Sequence, residues 1–314
     1  MFNWCFIGAG KIAFTVAEEL YRNNNNRVVS VYNRTFSKAE KFAEKYNATA
    51  YKNAIDAIND PRVDGVYIAL THNLHYEYIK LCLENNKPVL CEKSFVRDEQ
   101  EARELFELAK KKNIYLSEAM WTWHNNLAYK AKELVKTIGK IQSVECAFSF
   151  EGMNVERLIK PEFYGGALYD IGIYGLRYSL ELFGYPNKID CKGETKNGVD
   201  INEKIILSYD GFEAIHRFAI DRDIGIYYKI IGEKGMIEIP GFHAAREIIF
   251  SSEKVEKYVD NSDYYDKQFT NVSREILEGK IDSLYSKSIN TILCHRMMDT
   301  CFSKLDVSIP KVEK

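Results

Sequence analysis

No two cysteines in this sequence stand as a C-x-x-C pair. The seven, at Cys5, Cys82, Cys91, Cys146, Cys191, Cys294 and Cys301, are odd in number and widely scattered. That argues against a disulfide framework or a zinc ribbon, and reduced thiols of a cytosolic protein are the simplest expectation. Long apolar runs are also missing. Nothing approaches the ~20 apolar residues of a membrane span, and the first residues enter a strand-like run without a basic flank and signal core. A soluble, cytoplasmic protein is therefore expected. The six histidines lie apart, without an H-E-x-x-H arrangement, so no metal site is expected. Excess charge of either sign is absent too. Against 45 acidic residues stand 43 basic ones, a formal charge of -2, which gives no pull toward nucleic acid or an anionic membrane.

What is present suits two globular cores. The chain has 314 residues, 46% of them hydrophobic, and a single domain is ordinarily ~150 residues. Over residues 3–117 short apolar runs (4–7, 28–32, 48–51, 65–70, 89–91, 114–116) alternate with amphipathic segments (12–22, 37–46, 74–84, 98–112). Parallel strands, each followed by a covering helix, produce that pattern, and it predicts an α/β, doubly wound Rossmann sheet. Beyond 117 one long helical stretch (163–183) is followed by turn-punctuated strands. Asp210-Gly211 and Gly232 to Gly235 read as hairpin connections, the first as a type I′ turn. Two helices, 263–278 and 286–305, end the chain. A second, α+β domain with a large, mostly antiparallel open sheet is expected, with residues 1–118 as the first domain and 119–314 as the second.

The segment Gly8-Ala9-Gly10-Lys11-Ile12-Ala13 sits where the first strand turns into the first helix. Gly8 permits the tight turn, Gly10 lets the backbone approach a pyrophosphate, and Ala13 lets the helix pack close. At the end of the second strand, where an NAD-binding domain usually offers an acidic residue, stand Asn33, Arg34 and Thr35, with Lys38 following. A guanidinium there suits a 2′-phosphate, so NADP is favoured, with NAD still open. Two further strands end in polar residues at the edge where open α/β sheets bind ligands: Thr71-His72-Asn73, and Glu92-Lys93-Ser94. Later in the chain a glycine pair, Gly165-Gly166, opens a helix on which Asp170 and Tyr174, four residues apart, share a face; the phenol can act as a proton donor.

Together, the opening GAGKIA, the V-L-C-E-K segment from Val89 to Lys93, and the GG-x-L-x-D-x-G-x-Y stretch resemble the glucose-fructose oxidoreductase and inositol dehydrogenase (Gfo/Idh/MocA) family. Tyr174 in place of a commoner histidine, with Ser117 to Thr122, is similar to its dimeric dihydrodiol dehydrogenase branch. The resemblance implies hydride transfer between NADP(H) or NAD(H) and a carbonyl or secondary alcohol, on a small sugar, polyol or diol held between the two domains. It implies that Lys93 is the catalytic lysine, Tyr174 the acid/base and Asp170 the residue that orients them. Trp121 then walls the substrate, with Tyr174 also touching it. For the cofactor it implies Gly8, Gly10, Lys11, Ile12, Asn33, Arg34, Thr35, Thr71, Asn73, His75, Glu92 and Lys93, although His75, at the start of a helix, reads more readily as structural. It also implies a homo-oligomer, commonly a dimer, through the second sheet. The departures are Ser94 where the family has proline, His72 where it often has proline, and Trp123-His124 for a common Arg-Phe, which predicts a changed pocket wall. A non-catalytic dinucleotide sensor and an isomerase or hydrolase with tightly held NAD are the competing classes.

Overall fold

The structure is a computed structural model describing residues 1–23, 25–307 and 309–310. In the first of two compact units, β-branched and aromatic runs form six strands: β1 (Phe2–Ile7), β2 (Asn26–Tyr32), β3 (Thr49–Tyr51), β4 (Gly65–Ile68), β5 (Val89–Glu92) and β6 (Leu116–Ala119). They are all parallel, in the order β3-β2-β1-β4-β5-β6. The covering helices are α1 (Lys11–Leu20), α2 (Phe36–Tyr46), α3 (Ala54–Ile58), α4 (His75–Glu84) and α5 (Glu99–Lys112). This is the expected doubly wound sheet, whose order reverses between β1 and β4. β6 starts two residues later than the apolar run suggested. Asn113 takes a left-handed conformation (φ 58°) and the Ile114 amide still bonds to Ala109 O at 2.9 Å, so Ile114 belongs to the cap of α5.

The second unit holds α6 (Asn126–Val135), β7 (Ile141–Ser149), α7 (Ile173–Phe183) and strands β8 (Lys188–Lys196), β9 (Val199–Tyr209), β10 (Phe212–Ala219), β11 (Ile226–Gly232), β12 (Gly235–Pro240), β13 (Glu247–Ser251) and β14 (Val255–Val259). Its eight strands run β14-β13-β12-β11-β7-β10-β9-β8, and the β7–β10 pair alone is parallel among the described residues. Both hairpins form where turn chemistry placed them. At Asp210-Gly211, however, only Gly211 takes positive φ (88°), so the turn is not type I′.

The long helical stretch is broken into pieces. Pro161–Phe163 is a 3₁₀ turn, Leu168–Gly172 a π-helix, and regular α-helix begins only at Ile173. The interruption lies at the glycine pair: Gly166 has φ +111°, and a Cβ there would lie 2.1 Å from Asp200 Oδ1. Asp200 in turn accepts the Leu168 amide at 2.6 Å.

Two helices follow the second sheet: α8 (Tyr264–Leu277) and α9 (Ser288–Leu305). A single cut at 118/119 does not separate the compact units. The first unit comprises residues 1–96, 100–124 and 262–288, and so takes in α8; the second holds 97–99, 125–261 and the described residues from 289 on. α8 joins the first unit through Phe269, whose ring packs on Trp4 (4.9 Å), Tyr67 (5.0 Å) and Phe6 (6.1 Å). Tyr115 also donates to Glu275 at 2.7 Å. All seven cysteines are free and buried. Among the described residues no helix is long and apolar enough to cross a membrane, and no three His, Cys, Asp or Glu residues gather as a metal would require.

Candidate active site

In the first unit the residues singled out by sequence lie along the carboxyl edge of the parallel sheet. Gly8 leaves β1 with φ +110°, its amide bonded to Tyr32 O at 2.8 Å. A Cβ on it would fall 2.3 Å from Ala69 O, so the turn admits only glycine. Gly10 is different. As the N-cap of α1 it has ordinary φ (-87°) and no side-chain cap, and a Cβ there would meet nothing within 4 Å. Open space therefore lies over uncapped helical amides, which is what a pyrophosphate needs. The residues present fit a dinucleotide.

Asn33 braces this turn from below, accepting the Ala9 amide at 3.2 Å and donating to Thr35 O at 3.0 Å. Arg34, Thr35 and Lys38 are exposed at the end of β2, and Lys11 is exposed at the start of α1. The Arg34 charge acts on Tyr78 of α4, opposing the rise in pKa that burial and the neighbouring Tyr32 impose. After β4, Thr71 donates to Asn73 Oδ1 at 2.7 Å.

His75, read as a cofactor residue, has no exposed surface to offer. Its Nδ1 faces Ser94 O (3.0 Å) and Phe95 O (3.1 Å), and its Nε2 faces Leu70 O (3.2 Å). Burial foremost lowers its pKa to about 4, against the pull of these carbonyls, so at neutral pH the ring is uncharged and its single N–H donates on one side, to Leu70 O or to the carbonyls of Ser94 and Phe95. Glu92 is likewise turned inward, accepting Tyr67 Oη at 2.6 Å in the core. Burial foremost raises it to about 7, against the pull of Tyr67 and Lys93 and with the Glu118 carboxylate adding to the rise. Lys93, just beyond β5, is partly exposed; its peptide bond to Ser94 is cis.

Trp121 follows β6. It stacks on Tyr265 (5.1 Å, 20°) and meets Tyr264 edge-on (5.1 Å, 76°). These α8 tyrosines were not anticipated, because nothing in local sequence says that a helix 140 residues later returns to this edge. Trp123 and His124 do not form a pocket wall. They are 1% and 3% exposed; His124 stacks on Tyr285 at 4.8 Å, and burial lowers its pKa to about 3. His72 is also buried, its ring edge-on to His75 at 5.8 Å.

In the second unit Asp170 lies in the π-helix and Tyr174 in the first turn of α7, both about 6% exposed. Asp170 accepts a hydrogen bond from Arg157 Nη1 at 2.9 Å, a partner with no sequence motif of its own. Tyr174 lies beside Phe148 of β7 (6.0 Å) and His243 (5.6 Å, 60°).

Comparison with known proteins supplies the remaining link. Residues 2–120 match the family model described as "Oxidoreductase family, NAD-binding Rossmann fold" and residues 129–238 match the GFO/IDH/MocA C-terminal domain. The chain is 32% identical over 264 residues to scyllo-inositol 2-dehydrogenase (NADP(+)) IolU of Bacillus subtilis, covering 79% of each chain. It belongs to the GFO/IDH/MocA family of oxidoreductases. As a family member it is an NAD(P)-dependent enzyme acting on CH–OH groups. Another relative, trans-1,2-dihydrobenzene-1,2-diol dehydrogenase of Xenopus tropicalis, is 28% identical with 98% of this chain and 99% of the relative covered. Among solved structures, the 3-ketoreductase KijD10 of Actinomadura kijaniata superposes with a TM-score of 0.88 at 20% identity, covering 97% and 98% of the two chains. That likeness confirms the two-sheet fold.

Proposed function

We propose that this protein is an NADP-preferring oxidoreductase that interconverts a secondary alcohol and a carbonyl on a small sugar, polyol or diol. The observation that carries the reading is Lys93, a partly exposed lysine at the carboxyl end of β5, on the sheet edge that also bears the glycine turn. NADP is favoured over NAD by Arg34, exposed where an acidic residue would otherwise meet the ribose. The relatives support it: one is named for NADP, and both curated ones for dehydrogenation of a cyclic polyol or diol.

The dinucleotide, when bound, supplies or accepts the hydride. The chain does the rest. Gly8, Gly10 and the start of α1 (Lys11, Ile12) hold the pyrophosphate, with Asn33 bracing the turn. Arg34 and Thr35 hold the adenosine end, and Thr71 and Asn73 line the sheet edge. In reduction Tyr174 gives the proton to the substrate oxygen, and the Lys93 ammonium stabilises the charge developing there. Asp170, paired with Arg157, keeps the start of α7 in place, and Trp121 offers an aromatic surface to the substrate. The parallel sheet within residues 1–118 thus serves the cofactor, and the antiparallel sheet within 119–314 the substrate and self-association. A cytoplasmic homodimer completes the reading. A non-catalytic sensor is disfavoured, since the relatives are named as dehydrogenases and Lys93 is kept.

Substitution tests this. Lys93→Met and Tyr174→Phe should each lower kcat by about 10²–10⁴ while NADPH still binds by fluorescence titration. Arg34→Ala should weaken NADPH by roughly tenfold or more and leave NADH nearly unchanged. Normal turnover in both of the first two variants would sink the site, and equal affinity of the wild-type protein for NADPH and NADH would sink the cofactor preference.

A further inference from the structure

The helix that carries Asp170 and Tyr174 does not cap itself. The residue at its start, Ala167, has no polar side chain, and the Leu168 amide is met instead from β9, by Asp200 Oδ2 at 2.6 Å. The carboxylate enters the space that Gly166 leaves. With φ +111° and no side chain, that glycine admits Oδ1 to within 2.1 Å of where its Cβ would lie. At the other end of the same segment Glu203, also on β9, brings Oε1 to 3.4 Å from where a Cβ on Gly172 would lie. Both acids are buried, at 0% and 3% exposure. Burial foremost raises Asp200 to about 6, against the Leu168 amide, so it is mostly ionised at neutral pH. Burial, and the Asp200 charge beside it, hold Glu203 well above the ordinary carboxyl range, and it stays neutral. One charged acceptor thus faces the amide end of the helix, where a charge-assisted bond and the helix dipole both favour it.

Between the two carboxyls lies the π-turn. Its defining bond runs from the Ile173 amide back five residues to Leu168 O. A π-turn holds one residue more than the α-turn it replaces, so side chains beyond it are rotated by about 100° relative to an unbroken α-helix. Tyr174 is the second residue beyond it. We propose that Asp200 is a positioning residue for the proton donor: by holding the Leu168 amide in the space over Gly166 it selects the π-turn over the α-turn, and so sets the direction of the Tyr174 phenol and of Asp170 ahead of it. This rests on the proposed hydride transfer, in which Tyr174 gives or takes the proton. Without the carboxylate no side chain caps the start of the segment, and the α-turn, the far commoner geometry, becomes competitive. Asp200, fully buried, acts only through the backbone.

The experiment compares the wild-type protein with Asp200→Ala and with Asp200→Asn, whose amide oxygen can still accept the Leu168 bond. Oxidation of scyllo-inositol, D-glucose or trans-cyclohexane-1,2-diol by NADP⁺, whichever the wild type turns over fastest, gives kcat and KM. Hydrogen exchange of peptides covering 166–183 reads the turn without requiring turnover. Asp200→Ala should lower kcat by roughly tenfold to a hundredfold and speed exchange at 168–173 while 176–183 stays protected. NADPH binding should be nearly unchanged, since the glycine turn belongs to the first unit. Asp200→Asn should recover part of both losses. A loss of global stability alone would move neither kcat at saturation nor this exchange pattern in assays run well below the unfolding midpoint. Wild-type kcat in Asp200→Ala overturns the proposal and leaves the oxidoreductase reading intact, and so does a lowered kcat with unchanged exchange at 168–173. Should Asp200→Ala not fold, Asp200→Asn carries the test: it should lose part of kcat and part of the protection together, and either loss without the other overturns the proposal. If the wild type oxidises none of the three compounds, the proposed function fails, and the role in proton donation with it.

Discussion

Gly8 and Gly10 stand two residues apart and answer to different constraints. A side chain on Gly8 would run into the Ala69 carbonyl from a backbone conformation that L-residues avoid, whereas one on Gly10 would enter open space over the first turn of α1. Gly8→Ala should therefore lower the denaturation midpoint markedly. Gly10→Ala should leave it within about 0.5 kcal/mol of wild type yet weaken dinucleotide binding at least tenfold, because the methyl takes the place of phosphate. Urea titration and NADPH fluorescence separate the two, and identical behaviour of the two variants would contradict the division of labour. Glu92 gives a pH signature. Buried and raised from an ordinary 4.5 to about 7, it binds its proton more tightly in the folded state. Its contribution to stability is thus full below the ordinary value and is lost as pH rises through about 7. At ~1.4 kcal/mol per unit, the stability of wild type relative to Glu92→Gln should fall by roughly 3 kcal/mol between pH 4.5 and 7.5. Parallel stability profiles for the two proteins would refute this. A residue whose constraint follows from local backbone, such as Gly8, could be read from the sequence. Residues whose work depends on what folds back over them could not. His75 and Glu92 occupy motif positions but face the core, while Arg157 belongs to no motif at all.

Among the elements, strands β1 to β5 and the six helices expected outside 163–183 formed within two residues of their expected bounds, since alternation and amphipathic spacing are local. The segment 161–183 did not. Its glycine pair was legible, but the break into 3₁₀, π and α pieces is set by Asp200 on β9, a neighbour distant in sequence. α8 carries the same lesson: its helicity was evident and its allegiance was not. Phe269 fills the space among Trp4, Phe6 and Tyr67, and Arg22 pairs with Asp263 just ahead of the helix at 3.2 Å. Phe269→Ala should cost about 3–5 kcal/mol and weaken NADPH binding along with stability, although the residue lies far along the chain from the glycine turn. Chemical denaturation followed by near-UV dichroism would register it; a loss under 1 kcal/mol would mean that α8 is an ornament on the first unit.

At the scale of the whole molecule, the eight-stranded sheet has a face that helices leave uncovered. Along β9 and β10, Ile205, Leu207, Ala214 and His216 are buried while the alternating Ile206 and Ile215, paired across the strands, are partly exposed. On β7 and β11 the same row continues as Glu145 and Lys229. Isoleucines flanked by a row of opposite charges suit a self-complementary two-fold contact. Ile215→Glu should convert a dimer to monomer in sedimentation velocity without altering NADPH binding. A wild-type protein that sediments as a monomer at micromolar concentration would refute the association.

The discontinuous first unit also bears on how the protein is made. Its parallel sheet is complete by residue 119, but α8, which completes its core, lies some 140 residues later. At ~5–20 residues per second, a ribosome needs on the order of ten to thirty seconds to bridge residues 124 to 288. Throughout that interval Trp4, Phe6 and Tyr67 lack their partner ring, and the half-built unit has to be kept from aggregating while the rest of the chain is still being synthesised.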